Sequence, residues 1–309
     1  MPKKSTTYQI LIPSLISTLN GTVLLLALLG LVAALVAKTA HAQEPYIVYY
    51  AQGTGGDAET TFPFQVLKLG LSKTGKPYVL RASPIGRANT QRTADAMAAD
   101  GPIDVVWIGA SVIDDQKMSP VLFPIDMGLL GYRIFLINGS RQNEFSQIKT
   151  IEDLRKMVAL QGTGWADVEV LRSAGLHVRT APIYADLFRM TVNGRADYFP
   201  RGAFEAYSDK RKFADSAPGL AVEETLLLRY PYSFIFYVKK TDTNLHDDLY
   251  RGLVAAFDDG SFKTLFSSNQ DFQSVLNGAH LKARRVLDID NPFLSAQMKA
   301  VDRRFWYQP

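Results

Sequence analysis

The sequence predicts an α/β fold in which mainly parallel sheets are flanked by helices. Segments rich in β-branched and aromatic residues alternate with segments whose apolar residues recur at helical spacing, at intervals of roughly 20–30 residues. One strand segment, IDVVWI at 103–108, is apolar almost throughout, which is typical of a strand buried on both faces. With 309 residues, 47% hydrophobic and 21% charged, the chain is long enough for one large domain or two of ordinary size.

Most of the predicted elements begin or end at a recognisable signal. The predicted helix at 62–74 stops before Gly75, and the one at 150–156 begins with a threonine cap and an acidic first turn. The predicted strands are 45–50, 78–82, 103–108, 131–137, 157–161, 177–180, 196–199, 224–228 and 232–239. The predicted helices are 62–74, 90–99, 150–156, 165–174, 185–192, 245–258 and 262–266, with further helical segments within 270–309.

Residues 1–42 are predicted to be an export signal. They contain three lysines and no acidic residue, and the uncharged apolar run at 23–37 is followed by a small-x-small ending. These are the three parts of a secretory signal peptide, and cleavage is expected before Gln43. The alternative is an uncleaved anchor whose apolar run extends back toward Ile10, because about 20 residues span a bilayer.

The composition excludes several classes of function. The chain has no cysteine, which excludes thiolate metal sites, disulfides, a cysteine nucleophile and a lipidated cysteine. Without the three lysines of the leader, the formal net charge of +4 falls to +1, so no nucleic-acid partner is expected. The glycines at 53–56 lack the rest of a phosphate-loop motif and are predicted to form a plain turn. The histidines beyond the leader are scattered, so neither a cofactor nor a metal is expected.

The first candidate for ligand binding is the turn QGTGW at 161–165, between a predicted strand and a predicted helix. Glycines at such a junction let a ligand approach the N–H groups of the helix N-terminus, where the dipole favours anions. Trp165 would stack on the ligand and Asp167 would accept a hydrogen bond from it. The alternative is an ordinary strand–helix turn with a tryptophan in the core. The candidate residues of this segment are Gln161, Gly162, Thr163, Trp165 and Asp167.

The second candidate is Arg201, which follows a predicted strand that ends at Pro200. Ligands bind at the carboxyl ends of strands in open α/β sheets, and an arginine there can hold a carboxylate or phosphate bidentately. Glu205, one helical turn later, would orient Arg201 or would serve only as its salt-bridge partner. Arg133 and Trp107 lie in strand segments near the expected crossover, and Trp107 either faces a cleft or lies in the core.

Five segments occur in an informative order. The leader and the strand–helix units up to Trp107 come first, followed by GYRIFLI at 131–137. TIEDLR and VALQGTG within 150–164, VNGRAD at 192–197 and the segment 232–261 follow. Together they resemble the periplasmic solute-binding proteins of bacteria, in particular the family that serves amino-acid ABC transporters (family 3, type II). The resemblance covers nearly all of residues 45–275.

The resemblance implies a two-lobed type II fold, each lobe a mainly parallel sheet flanked by helices, with two crossover strands. It assigns 43–129 plus 232–309 to lobe 1 and 130–231 to lobe 2, with the ligand between the lobes and a hinge closure on binding. Two departures from the family matter. The arginine that receives an α-carboxylate is missing from 109–117, and Gly202 stands where an aspartate would receive the α-amino group. These departures argue against a standard α-amino acid and favour a small polar or anionic organic solute.

The sequence therefore predicts an exported, periplasmic, monomeric solute-binding protein that is not an enzyme. It would deliver a small polar or anionic solute to the membrane permease of an ABC-type transporter. The first alternative is a ligand-sensing subunit that reports to a membrane signalling protein. The second is a periplasmic dehydratase-like enzyme, with Glu205 and Asp167 as the acid/base candidates.

Overall fold

A computed structural model describes residues 44–53 and 57–308. The predicted export signal at 1–42 and all but the first residue of the glycine turn at 53–56 lie outside the described residues. The chain from residue 45 onward forms one compact unit. Within the described part, no helix is both long and apolar enough to cross a membrane.

Strands and helices alternate along the described chain. The strands are β1 (Tyr46–Gln52), β2 (Tyr78–Arg87), β3 (Val105–Gly109), β4 (Ser119–Val121), β5 (Tyr132–Asn138), β6 (Val158–Gly162), β7 (His177–Ala181), β8 (Phe199–Gly202), β9 (Leu220–Val222), β10 (Leu226–Arg229), β11 (Phe234–Val238) and β12 (Arg285–Asp288). The helices are α1 (Phe62–Ser72), α2 (Thr90–Ala98), α3 (Val112–Asp115), α4 (Gln142–Ser146), α5 (Ile151–Leu154), α6 (Asp167–Ser173), α7 (Tyr184–Val192), α8 (Ala203–Lys212), α9 (Thr243–Asp258), α10 (Ser261–Ser268), α11 (Gln270–Gly278) and α12 (Ala296–Lys299).

Sheet A contains five strands in the order β2-β1-β3-β11-β4. Strand β1 pairs parallel with β2 and β3, whereas β11 pairs antiparallel with β3 and β4. Helices α1 and α9 pack against each other, and a Cβ on Gly252 would lie only 2.0 Å from the carbonyl oxygen of Gly70. The absence of a side chain at Gly252 is therefore what lets the two helices approach so closely.

Sheet B is built around β5, whose residues 134–137 are fully buried. Its strand order is β12-β10-β5-β8, and β9 also pairs with β5. Strands β6 and β7 form a parallel pair, and a bridge between Ala159 and Tyr198 connects β6 to the chain just before β8. Helix α5 begins as its sequence predicts, because Thr150 and Asp153 form a reciprocal capping box.

The α/β fold with helix-flanked sheets, predicted from the sequence, is confirmed. The prediction of mainly parallel sheets is wrong, because both sheets are mixed, with parallel pairing at β1–β2, β1–β3, β6–β7 and β10–β12. Strands β5 and β11 make the antiparallel pairs that mix the sheets. The chain reaches each of these two strands by crossing from the other sheet rather than through a βαβ unit. The right-handed crossover that joins parallel strands of one sheet therefore does not apply to them.

Asp126 ties together the two segments in which the chain crosses between the sheets. Its buried carboxylate accepts hydrogen bonds from the backbone N–H of Leu130 at 2.5 Å and of Phe234 at 2.9 Å, and from the hydroxyl of Ser233. Burial raises the pKa of Asp126 to about 6, while these hydrogen bonds act in the opposite direction. Both crossings lie near the predicted lobe boundaries at 130 and 231, and the assignment of residues to lobes stays a prediction.

The C-terminal segment contacts both sheets. Strand β12, which lies within the predicted lobe segment 232–309, pairs parallel with β10 of sheet B. The guanidinium of Arg284, just before β12, explains this placement. It donates to the carbonyl oxygens of Glu223 at 2.6 Å, Ala279 at 2.8 Å and Leu226 at 3.0 Å. After β12 the chain returns to the core of sheet A, where Met298 is fully buried.

We expect Arg284→Ala to lower the free energy of unfolding by about 3 kcal/mol, because three buried carbonyls and the buried Glu223 carboxylate lose their cationic partner. Chemical denaturation measures this loss. The control is Arg285→Ala, which removes an exposed neighbour on β12 whose single hydrogen bond goes to the carbonyl of Ile148, and its cost should stay below about 1 kcal/mol. Equal effects of the two variants would contradict the role assigned to Arg284.

Candidate ligand-binding site

A cavity of about 290 Å³ opens between sheet A and sheet B. The carboxyl ends of three parallel-paired strands meet there, since Gly53, Gly109 and Gly162 lie at or just after the ends of β1, β3 and β6. This is the edge at which open α/β sheets bind their ligands. Eight of the nine residues that the sequence predicts for ligand binding line this cavity: Trp107, Arg133, Gly162, Thr163, Trp165, Asp167, Arg201 and Glu205.

The ninth predicted residue, Gln161, lies behind the cavity wall and is fully buried. Its amide donates to Asp167 Oδ2 at 2.9 Å, so Gln161 orients Asp167 rather than contacting the cavity. The side-chain oxygen of Gln161 is buried and has no hydrogen-bond partner among the described residues.

Arg133, on β5, is buried with its guanidinium bound within the chain. Its Nη2 donates to Asp167 Oδ2 at 2.7 Å and its Nε donates to the Tyr230 hydroxyl at 2.9 Å. The ring of Tyr232 lies 5.4 Å from its guanidinium carbon, within the range of a cation–π contact. Because Asp167 is the first residue of α6, a carboxylate of this chain already occupies the favourable position at that helix N-terminus.

Arg201, on β8, is also buried and bound within the chain. Its Nε donates to Asp209 Oδ2 at 2.7 Å, and its Nη2 lies 2.9 Å from Glu205 Oε1 and 3.1 Å from the Tyr184 hydroxyl. Burial alone would lower the pKa of Arg201, but the charges of Asp209 and Glu205 outweigh it and hold the pKa above its ordinary value. The rings of Phe199 and Trp165 lie 5.1 and 5.2 Å from the guanidinium carbon.

Glu205, on α8, connects the two arginines. Its Oε1 contacts Arg201, and its Oε2 lies 3.7 Å from Arg133 Nη1 and accepts from the backbone N–H of Gly202 at 2.9 Å. Burial raises the pKa of Glu205, and the two guanidinium groups oppose that shift. The buried network therefore combines two arginines with three carboxylates.

The structure places Arg201 differently from the prediction. The predicted strand at 196–199 is shifted in the structure to β8 (Phe199–Gly202), so Arg201 lies within the strand rather than after it. Of the two roles considered for Glu205, the structure provides the salt bridge. The sequence analysis missed Asp209, although its spacing of four residues from Glu205 was a signal that both carboxylates face Arg201 from one side of a helix.

Trp165 lies between the cavity and the core, and its predicted stacking on a ligand stays a prediction. Its indole lines the cavity and is half-buried, and it stacks on Phe199 with ring centroids 6.1 Å apart. A Cβ on Gly162 would lie 2.3 Å from Cε2 of this indole. Gly162 is therefore required by the position of Trp165, and no ligand has to be invoked to explain the glycine.

On the side of sheet A, the cavity is lined by Trp107, in the middle of β3, and by Asp114 on α3. Trp107 is half-buried and packs against Tyr50 and Phe236, so it contributes to the core as well as to the cavity. Asp114 was not among the residues that the sequence predicts for ligand binding. Burial, followed by the charge of Asp115, raises the pKa of Asp114 to about 6.

No protein-family model and no curated protein matches the chain, but many solved structures do. An ancestral arginine-binding protein bound to arginine is 15% identical, with 74% of this chain and 98% of that chain covered and a TM-score of 0.53. A binding component of an ABC transporter from Wolinella succinogenes, complexed with lysine, is 14% identical, with 75% and 99% covered and a TM-score of 0.56. A histidine kinase sensor domain with similarity to periplasmic binding proteins is 16% identical, with 72% and 95% covered and a TM-score of 0.54.

These similarities concern the fold. The chain has the two-lobed α/β fold of the amino-acid-binding periplasmic proteins and of the substrate-binding proteins of ABC transporters. The fold that the sequence motifs implied is thereby confirmed. At these levels of identity, the similarity carries no information about which solute is bound.

We expect Gly162→Ala to lower the free energy of unfolding by about 1–3 kcal/mol, because the added methyl group displaces the indole of Trp165. Urea denaturation measures the change. Gly278→Ala is the matched control, since a Cβ at Gly278 meets nothing within 4 Å, and its effect should stay within about 0.5 kcal/mol. A Gly162→Ala protein as stable as the wild type would show that the indole is not held against the glycine.

Proposed function

We propose that the chain is an exported, periplasmic solute-binding protein that captures a small polar organic molecule in the cavity between its two sheets. The observation that carries this proposal is the cavity itself, which is lined from both sheets by aromatic rings and by a few convergent charged groups. Such a lining is typical of small-molecule sites. A volume of about 290 Å³ suits a small solute.

A binding role is favoured over catalysis by the state of the two acid/base candidates. Glu205 and Asp167 are each held by an arginine, at 2.9 Å from Arg201 and at 2.7 Å from Arg133 respectively. A general acid or base has to contact the substrate and exchange a proton with it, whereas each of these carboxylates is engaged by a guanidinium group of the chain. The dehydratase-like alternative therefore has the weakest support.

An anionic solute has less support than a polar solute without net negative charge. Arg133 and Arg201 each offer an anion only their Nη1 group, which makes no hydrogen bond to a described residue. The three carboxylates that bind these arginines would repel a further negative charge. We therefore favour a polar solute without net negative charge.

Delivery to the permease of an ABC-type transporter is the use we propose for the bound solute. The similarity to substrate-binding proteins of ABC transporters supports this use. A sensory role, in which the protein reports to a membrane signalling protein, is the second candidate because a histidine kinase sensor domain has the same fold. Both roles fit an exported monomer whose lobes meet near residues 130 and 231.

Thermal unfolding of the purified protein with separate panels of amines, amino acids, organic acids and neutral polyols tests the proposed function. We expect at least one solute, at about 100 times its Kd, to raise the Tm by roughly 5–10 °C, since ligand binding stabilises the folded state by about 2.7 kcal/mol under this condition.

Trp165→Ala should abolish this ligand-induced shift. The control variant is Trp306→Ala, which alters a tryptophan that packs on Gly128 rather than lining the cavity and should keep the shift relative to its own Tm. The proposal fails if no solute of any class raises the Tm, or if Trp165→Ala keeps the full shift.

A further inference from the structure

The cavity floor carries an excess of negative charge. Arg133 and Arg201 are its two cations, and they are bound to the carboxylates of Asp167, Glu205 and Asp209. Three carboxylates against two guanidinium groups leave one uncompensated negative charge in a buried network. A buried charge of this kind favours a cation nearby and disfavours an anion.

Asp114 adds a second negative charge on the opposite side of the cavity. No hydrogen bond or ion pair to its carboxylate occurs among the described residues, although it lines the cavity and is half-buried. The basic residue nearest to it in sequence, Lys117, binds Asp95 at 2.6 Å instead. The neighbouring acid, Asp115, accepts from the Tyr237 hydroxyl at 2.8 Å. Asp114 is therefore a carboxylate without a partner that faces the cavity.

Aromatic rings line the same cavity as Asp114. Trp107, Trp165 and Tyr232 all line the cavity. The hydroxyl of Tyr232 fits over Gly109, where a Cβ would lie 1.9 Å from it. Burial raises the pKa of Tyr232, and the charge of Asp114 is among the further causes, which places this carboxylate within electrostatic reach of the ring. Electron-rich ring faces together with a carboxylate are a favourable setting for an organic cation.

The described lining offers a carboxylate on the ligand no basic side chain that is not already bound to acids of the chain. Its only basic residues are Arg133 and Arg201, and both are already bound to acids of the chain. A ligand that carried a carboxylate would bring a further negative charge into a cavity that has a negative excess. The charge balance thus predicts that an amine binds more tightly than the amino acid with the same side chain.

We propose that the solute is an organic cation, an amine or a guanidinium compound without a carboxylate, and that Asp114 binds its cationic group. This inference rests on the proposed solute-binding function and specifies its substrate class. The solute lies with its cation toward α3, between the rings of Trp107 and Tyr232, and with its remaining part over the floor formed by the arginine network.

Isothermal titration calorimetry with matched pairs of probes tests this inference. Agmatine and arginine differ by one carboxylate, as do cadaverine and lysine, and glutarate serves as the anionic probe. We expect at least one of the two amines to bind the wild-type protein at least tenfold more tightly than its amino acid, and glutarate not to bind. Asp114→Asn should weaken binding of that amine at least tenfold.

Asp115→Asn is the matched control, because it makes the same charge change one residue away and keeps an acceptor for Tyr237. Its affinity for the amine should stay within about twofold of the wild type. The inference is overturned if the amino acids bind as tightly as their amines, if neither amine binds, or if Asp114→Asn and Asp115→Asn weaken binding equally. In each of these cases a Tm shift with a solute of another class would leave the proposed function intact, whereas the absence of any shift would remove both.

Discussion

The buried pairing of two arginines with three carboxylates is the constraint on which the cavity depends. Arg133 and Arg201 enter from two neighbouring strands of sheet B, and a guanidinium buried there without a partner would cost several kcal/mol. Asp167 brings the start of α6 to Arg133, and Glu205 and Asp209 bring α8 to Arg201. The network therefore fixes the strands, the two helices and the turn that carries Trp165. Charge pairing within the chain therefore determines the positions of the groups that form the floor of the cavity.

Because the arginines are already bound within the chain, they contribute little selectivity for an anionic group. Under the proposed solute-binding function, selectivity would come from the opposite wall, with Trp107 and the carboxylate of Asp114. The two walls are held together by Asp126, which binds both crossing segments, and by the C-terminal segment, which Arg284 anchors beside sheet B. Any closing motion of the lobes has to be accommodated by these connections.

The sequence allowed the fold and most of the cavity lining to be predicted, but not the partners of the charged groups. Trp107, Arg133 and the turn at 161–165 were identifiable because they lie in or just after apolar strands. Asp209 was missed because α8 is rich in polar residues and lacks an apolar period. Strand β12 has four residues, too few for a periodic signal. The strand at β8 was placed too early because it contains Pro200, which an edge strand can accommodate.

A double-mutant cycle on Arg201 and Glu205 tests the central claim most directly. Urea denaturation gives the free energies of unfolding of Arg201→Met, Glu205→Gln and the double variant. Arg201→Met leaves Glu205 and Asp209 buried without their shared cation. Glu205→Gln should therefore lower the free energy of unfolding less in this variant than in the wild type. The account predicts that the double variant is less destabilised than the sum of the single variants by at least about 1 kcal/mol. Additivity within about 0.3 kcal/mol would contradict it.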